Sequence, residues 1–219
     1  MAVKTSEREK IAKILRILAK QWPEPIPPLN FSNPFESLIA TMLSAQCTDV
    51  CVNKVTPDLF TAAQNPLKMY ALGRKKLISY IRSTGFFNAK SKNILATCKS
   101  LIDDFDGEVP NDFEELQKLT GVGRKTASVV MCQAFHVPAF PVDRHVMRVS
   151  HRLGLSKAKT ADKTDIDLRK KIPKKNWIDA HLQLVFLGRS WCRPKPKCAE
   201  CPLRSVCPTG NASKMATFL

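Results

Sequence analysis

The chain has 219 residues, enough for one large domain or two small ones, and with 44% hydrophobic residues it can bury a core. It carries 35 Lys+Arg against 19 Asp+Glu, a net charge of +16, an excess that points to a polyanion and first of all to nucleic acid. No run approaches the roughly twenty apolar residues of a membrane helix, and Met1 to Lys10 is polar and charged, so neither a membrane span nor a signal peptide is expected. Ser6 and Glu9 form a capping box for a first amphipathic helix carrying Ile11, Ile14, Leu15 and Leu18. Pro23, Pro25, Pro27 and Pro28 follow as a stiff linker and a domain boundary. Asn33-Pro34-x-Glu36 starts the next helix, through Leu38, Ile39, Met42 and Leu43. Ser44 to Asp49 breaks it and opens another with Val52, Val55 and Leu59. Helices over 66–72 and 74–82 end at Gly85, and a long helix from Asn88 to about Phe105 has Lys90, Lys92 and Lys99 as a basic side. After the central motifs, helices are expected over 161–172 and 175–189. No period-two strand and no long-period repeat is present, so the chain is predicted to be all-α.

The densest signal is Leu119-Thr-Gly-Val-Gly-Arg-Lys-Thr-Ala-Ser-Val-Val130. Asn111 with Glu114 caps a short helix through Lys118, Gly121 and Gly123 break it, and a second helix starts at Arg124. Such a helix, two-glycine turn and helix leaves backbone N–H groups free to bind an anion, and phosphate suits a basic chain. Lys125 sits in the first turn, where the helix dipole disfavours a cation. It reads either as a phosphate contact or as an amine made nucleophilic by a lowered pKa. Asp143, in Pro141-Val-Asp-Arg-His145, precedes an apolar-periodic segment that ends at Gly154. It is an N-cap, and a carboxylate held ionised by backbone N–H groups also suits acid–base or electrostatic work.

Eight cysteines are present. Cys47, Cys51, Cys98 and Cys132 are scattered and read as buried thiols. Cys192, Cys198, Cys201 and Cys207 follow a Cys-x5-Cys-x2-Cys-x5-Cys spacing, which reads as a metal site. Zinc and a [4Fe–4S] cube both accept four thiolates. Arg193, Lys195 and Lys197, interleaved with prolines in the first gap, suggest a stiff basic loop for a phosphate backbone.

Leu43-Ser-Ala-Gln46, the Gly-Val-Gly-Arg-Lys-Thr-Ala hairpin, Val-Asp-x-His eighteen residues after its lysine and the four cysteines, in this order, resemble the endonuclease III family of DNA glycosylases. The resemblance runs from about Asn30 to Cys207. It implies a two-lobed fold: a six-helix barrel over 28–137 containing the hairpin (about 112–135), and a discontinuous helical domain, 1–27 with 138–219, carrying a [4Fe–4S] cluster in the 192–207 loop. DNA would cross between the lobes. It implies a bifunctional enzyme that flips an oxidised pyrimidine out of double-stranded DNA, with Lys125 attacking C1′ to form a Schiff base, and Asp143 assisting. The same resemblance implies cleavage of abasic sites by β-elimination.

By the same resemblance Gln46 fills the gap left by the extruded base and Phe86 is an apolar wedge. Gly121, Gly123, Arg124 and the basic loop contact phosphates, as does His145 unless it is simply a satisfied structural histidine. A monomer in a bacterial-type cytoplasm is implied. The chain departs from the family pattern in three places: five residues rather than six in the first cysteine gap, Thr120 where proline is frequent, and Gln117 where a glutamate is frequent. A monofunctional adenine-mispair type shares the hairpin and cluster but lacks the lysine and adds a C-terminal domain, whereas this chain has Lys125 and ends twelve residues after Cys207. A non-catalytic hairpin module would lack any role for the Gln46, Asp143 and cysteine constellation.

Overall fold

The computed structural model describes residues 5–215; the outermost residues of the expected discontinuous domain, 1–4 and 216–219, lie outside it. Every regular element among the described residues is helical. In order they are α1 Thr5–Gln21, α2 Pro34–Leu43, α3 Asp49–Ala62, α4 Pro66–Ala71, α5 Gly73–Ile81, α6 Phe87–Asp104, α7 Phe113–Lys118, α8 Arg124–Gln133, α9 Arg144–Leu153, α10 Ala161–Lys171, α11 Trp177–Ser190 and α12 Pro208–Met215, with 3-10 turns at Arg82–Thr84 and Lys174–Asn176. The chain divides into two compact units, Met1–Ile26 with Pro138–Leu219, and Pro27–Val137.

In the Pro27–Val137 unit, α2 is the central helix. Asn33 accepts the Glu36 amide, Glu36 in return accepts the Ser32 amide, and Pro34 fills the first turn. From Ser37 to Leu43 every residue of α2 is buried, and the helix packs against α3, α6 and α8. Leu38, Ile39 and Leu43 join Leu59, Leu77, Ile81, Ile94 and Leu101 in the core. Each such side chain stabilises by about 1.5–3 kcal/mol on burial. The short helix before the hairpin is capped one residue later than expected. Asn111-x-x-Glu114 and Asp112-x-x-Glu115 both match the capping template, and Asp112 wins. Its Oδ1 accepts the amides of Glu114 and Glu115, each at 2.9 Å, where an ionised carboxylate also meets the positive helix end.

Lys90 departs from the sequence reading more sharply. It is not on a solvated basic side: only 6% of it is exposed. Of the scattered cysteines, Cys98 and Cys132 are buried as expected, which pushes each thiol up to about 12. Cys47 and Cys51 are only half-buried, because they flank the loop that joins α2 to α3.

In the other unit, Ile11, Ile14 and Leu18 of α1 pack into a core with Phe140, Val146, Val149, Leu153, Leu184 and Leu187. Polar ties fix this non-local pairing: Lys10 Nζ donates to Leu153 O at 2.8 Å, Lys171 pairs with Glu7 at 2.7 Å, and Gln183 Nε2 donates to Trp22 O at 2.9 Å. Ser6, expected from sequence as the cap, lies within α1, and the acid near its start that acts is Glu7, through Lys171 of α10. Helices α9 and α11 approach closely at Gly188, where a Cβ would lie 2.9 Å from His145 Cβ and 3.2 Å from Val149 Cγ2. That approach sets the position of the first turn of α9.

Candidate functional site

The hairpin lies in the Pro27–Val137 unit. Helix α7 is capped at its C-terminal end by Leu119, whose carbonyl accepts the Val122 amide at 3.0 Å, and Thr120 O accepts the Thr97 hydroxyl at 2.8 Å. Gly121 has φ +80, and a Cβ there would sit 2.7–3.0 Å from the Asn93 side chain, so glycine is required twice over. Val122 is buried between the glycines and anchors the turn. Gly123 is different: φ is −89 and ψ 176, an extended conformation open to any residue, and nothing lies within 4 Å of a Cβ.

Helix α8 begins at Arg124 without a side-chain cap, and its first backbone bond joins Ala127 N–H to Gly123 O. The preceding amides therefore have no partner within the helix, which is the chemistry of an anion site. The Arg124 guanidinium lies over the Phe113 ring, 5.2 Å from its centroid, which ties α8 to α7. Lys125 is exposed, and its amine makes no hydrogen bond or ion pair among the described residues. A free amine at the mouth of an anion site can act as a nucleophile beside a bound phosphodiester. Gln117, by contrast, donates to Phe113 O on its own helix at 3.3 Å.

In the same unit, Gln46 and Phe86 sit at two loop tips. Both have left-handed backbones, φ 52 and φ 49, which a non-glycine residue adopts at a cost. Phe86 is 63% exposed, contrary to the usual burial of an aromatic at a helix junction; Gln46 is exposed as well.

Asp143 belongs to the other unit. It caps α9, its Oδ1 accepting the amides of His145 and Val146 at 2.8 Å each. Asp143 is half-buried, and its second oxygen has no hydrogen-bond partner among the described residues. His145, two residues on, is half-buried. Its Nδ1 lies 3.2 Å from Arg148 Nη2; since the guanidinium can only donate, Nδ1 accepts and the ring proton is on Nε2. Burial, and then the charges of Arg148, Arg189 and Arg144, lower the His145 pKa against the opposing pull of Asp143. The histidine is thus neutral and packed on α11.

Cys192, Cys198, Cys201 and Cys207 line one small pocket together with Leu187, Trp191, Arg152 and Arg204. Burial raises the Cys201 thiol pKa, and the three other cysteines raise it further. The sulfurs border a cavity; among the described residues no three such ligands converge to hold a single ion. The buried Arg204 Nε, on the same cavity, has no hydrogen-bond partner among the described residues. An anionic group in the cavity would satisfy that donor, so the donor set and its surroundings fit a cluster ligated by four thiolates.

Sequence reasoning missed what holds this loop. Arg148 and Arg152, one turn apart on α9, grip its backbone. Arg148 Nε donates to Cys192 O at 2.9 Å, and Arg152 donates to Arg193 O at 2.5 Å and Pro194 O at 2.9 Å. No sequence pattern marks such backbone acceptors. Arg193, Lys195 and Lys197 are exposed; Arg193 Nε donates to Arg189 O at 2.8 Å, and Lys197 stands 3.8 Å from Glu200.

An anion-binding hairpin, a free lysine beyond it and a capped aspartate eighteen residues on are the parts of a helix-hairpin-helix DNA repair protein. Residues 39–174 match the family described as HhH-GPD superfamily base excision DNA repair protein. The chain is 48% identical to endonuclease III of Bacillus subtilis (strain 168) over 82% of its length and 83% of that protein's. It is 43% identical to endonuclease III of Synechocystis sp. (strain ATCC 27184 / PCC 6803 / Kazusa) over 95% and 96%. A solved structure described as a trapped endonuclease III–DNA covalent intermediate, an estranged-adenine complex, superimposes with TM-score 0.89 at 43% identity, covering 98% of this chain and 100% of that one. The chain belongs to the endonuclease III family, and as such is a DNA glycosylase and abasic-site lyase of base excision repair.

Proposed function

We propose that the chain excises oxidised pyrimidines from duplex DNA and cleaves the resulting abasic strand, with Lys125 as nucleophile and Asp143 as its partner. The observation that carries this is the exposed, unpaired Lys125 amine in the first turn of an uncapped helix. The free amides before Ala127 hold a phosphate of the lesion strand, placing the sugar at the amine. Lys125 Nζ attacks C1′, the C1′–N bond breaks, and the base leaves with a proton. The opened sugar forms a Schiff base with Nζ. Loss of a C2′ proton then expels the 3′ phosphate, and water hydrolyses the imine to free the enzyme. Asp143, held in place by the two amides it accepts, takes the ammonium proton and offsets positive charge at C1′. The trapped covalent intermediate described for a relative 43% identical supports this chemistry.

Gln46 and Phe86 enter the stack at the lesion, Gln46 opposite the extruded base and Phe86 as wedge. Gly121, Gly123, Arg124, His145, Arg193, Lys195 and Lys197 serve the phosphate backbone. In this reading residues 28–137 form the barrel domain, and 1–27 with 138–219 the cluster domain. Cys192, Cys198, Cys201 and Cys207 hold a [4Fe–4S] cluster, with Arg152 and Arg204 beside its negative charge. When bound, the cluster supplies a rigid, redox-capable core. The chain's own residues order the basic loop over 193–197 for DNA, and none of the catalytic proton transfers needs the cluster. The protein works as a monomer, one molecule per lesion, in the cytoplasm of a bacterium. None of the helices among the described residues is long and apolar enough to cross a membrane.

Borohydride trapping on a labelled duplex carrying one oxidised thymine tests the reading. Wild type is expected to give a covalent band that Lys125→Ala lacks. Free base without any trapped band would instead assign Lys125 to phosphate binding in a monofunctional enzyme.

A further inference from the structure

A buried cation joins the two loops that carry Gln46 and Phe86. Lys90 Nζ donates to Leu43 O and to Thr84 O, each at 2.7 Å. Leu43 is the last residue of α2, and Thr84 is the last residue of the 3-10 turn after α5. Both carbonyls belong to helix ends that carry partial negative charge and lack partners further along the helix. Among the described residues no carboxylate bonds Lys90; two converging helix ends take its place. Gln46 follows three residues after Leu43, and Phe86 two residues after Thr84. The Lys90 backbone N–H also donates to Phe86 O at 2.9 Å, so one residue grips the Phe86 loop twice. Cys51, in the first turn of α3, adds a parallel tie, its thiol standing 3.3 Å from Ser83 O. Burial lowers the pKa of Lys90, which marks the ammonium as costly to keep where it is.

We infer that Lys90 is a positioning residue for base extrusion: by bonding both carbonyls it fixes the Gln46 and Phe86 loops in one mutual arrangement, so that the two side chains enter a single step of the duplex together. This rests on the reading that Gln46 and Phe86 insert into DNA. A plain core lysine would contribute stability alone. A lysine that sets two strained loop tips contributes to opening the stack, and that contribution disappears when no stack has to be opened or when the tips have been cut away.

The test is a variant cycle under single-turnover conditions. Lys90→Met keeps the length of the side chain and removes its donors. Lys90→Gln keeps a donor for one carbonyl and guards against a loss of folding, which near-UV circular dichroism checks. Each is placed in the wild-type chain and in Gln46→Ala/Phe86→Ala. Excision is followed on a duplex with one oxidised thymine, and lyase cleavage on a preformed abasic site in single-stranded DNA.

On the duplex, Lys90→Met is expected to slow excision by about tenfold or more, with Lys90→Gln between it and wild type. Single-strand cleavage is expected to stay within about twofold of wild type. In the Gln46→Ala/Phe86→Ala chain, Lys90→Met is expected to cost less than about twofold further, the signature of groups acting as one unit. Equal losses on duplex and single strand, or a full tenfold loss in the doubly truncated chain, would reduce Lys90 to a structural residue and overturn the inference. If Gln46→Ala/Phe86→Ala itself excises like wild type, the insertion reading has failed, and the inference falls with it.

Discussion

The two glycines of the hairpin look equivalent in sequence, and the structure assigns them different work that substitution separates. In Gly121→Ala the new Cβ sits on a backbone of φ +80, which costs about 1–2 kcal/mol for an L-residue. It also meets Asn93 Nδ2 at 2.7 Å and Asn93 Cβ at 2.9 Å. The amide end can rotate away, but Asn93 Cβ moves only with the α6 backbone, and overpacking of this kind costs about 1–3 kcal/mol. Stiffening of the unfolded chain offsets about 0.4–1 kcal/mol, leaving a net loss of about 1–5 kcal/mol and a fall in Tm on the order of 10 °C.

In Gly123→Ala the backbone is already suitable and the Cβ meets nothing within 4 Å. The poorer N-cap costs roughly 0.5–1 kcal/mol and the stiffer unfolded chain returns about the same, so Tm should stay within about 2 °C. On the proposed function, however, a phosphate approaches the free amides of α8 at this position, and the added Cβ stands beside them. Thermal melts by far-UV circular dichroism and anisotropy titrations with a lesion-free duplex measure both quantities. Gly123→Ala is expected to melt like wild type and bind about tenfold more weakly, the loss of one close phosphate contact. Equal melting losses in the two variants would refute the steric argument, and undiminished binding by Gly123→Ala would refute the anion-site argument.

How far the sequence could be read follows from the same distinction between local and tertiary causes. Caps, proline starts and apolar periods are local, so α2, α9 and their boundaries were legible down to Asn33, Asp143 and Gly154. Where two registers satisfied one template, at Asn111 and Asp112, pattern could not choose; the charge of the carboxylate at the helix end did. Lys90 was misread because its partners are carbonyls, which leave no mark in sequence. Helical spacing placed it on a polar side, while two helix ends, one of them 47 residues away, fold around its ammonium. Arg148 and Arg152 were overlooked for the same reason, their acceptors lying 40–44 residues away at the end of α11 and in the cysteine loop. The residues proposed to carry chemistry were singled out by their motifs. The residues that hold those in place became visible only once distant backbone groups had been brought to them.

Two further substitutions separate charge from architecture in the α9 turn. Asn caps a helix about as well as Asp, so Asp143→Asn should keep the melting point within about 1 kcal/mol of wild type, while excision falls about 100-fold or more if the carboxylate moves a proton or offsets charge. Activity within threefold of wild type, measured in the trapping assay, would leave Asp143 a cap alone. His145→Gln tests the electrostatics behind it. The native pKa of His145 lies below its ordinary value of 6.5, because burial and three arginines oppose a further positive charge. Between 6.5 and that lower value the unfolded chain therefore binds a proton that the native chain refuses, and stability rises with pH across this window. Read downward, stability is lost as pH falls from 6.5 through the native pKa, and below it the penalty is complete. Protonation would also place N–H on Nδ1, where Arg148 Nη2 now donates at 3.2 Å. Glutamine can accept from Arg148 and does not titrate. Melting curves on either side of this window should show a larger acid-induced loss for wild type than for His145→Gln. Parallel losses in the two proteins would mean that the imidazole is already cationic in the fold and that Arg148 owes its position to the carbonyls of Gly188 and Cys192 alone.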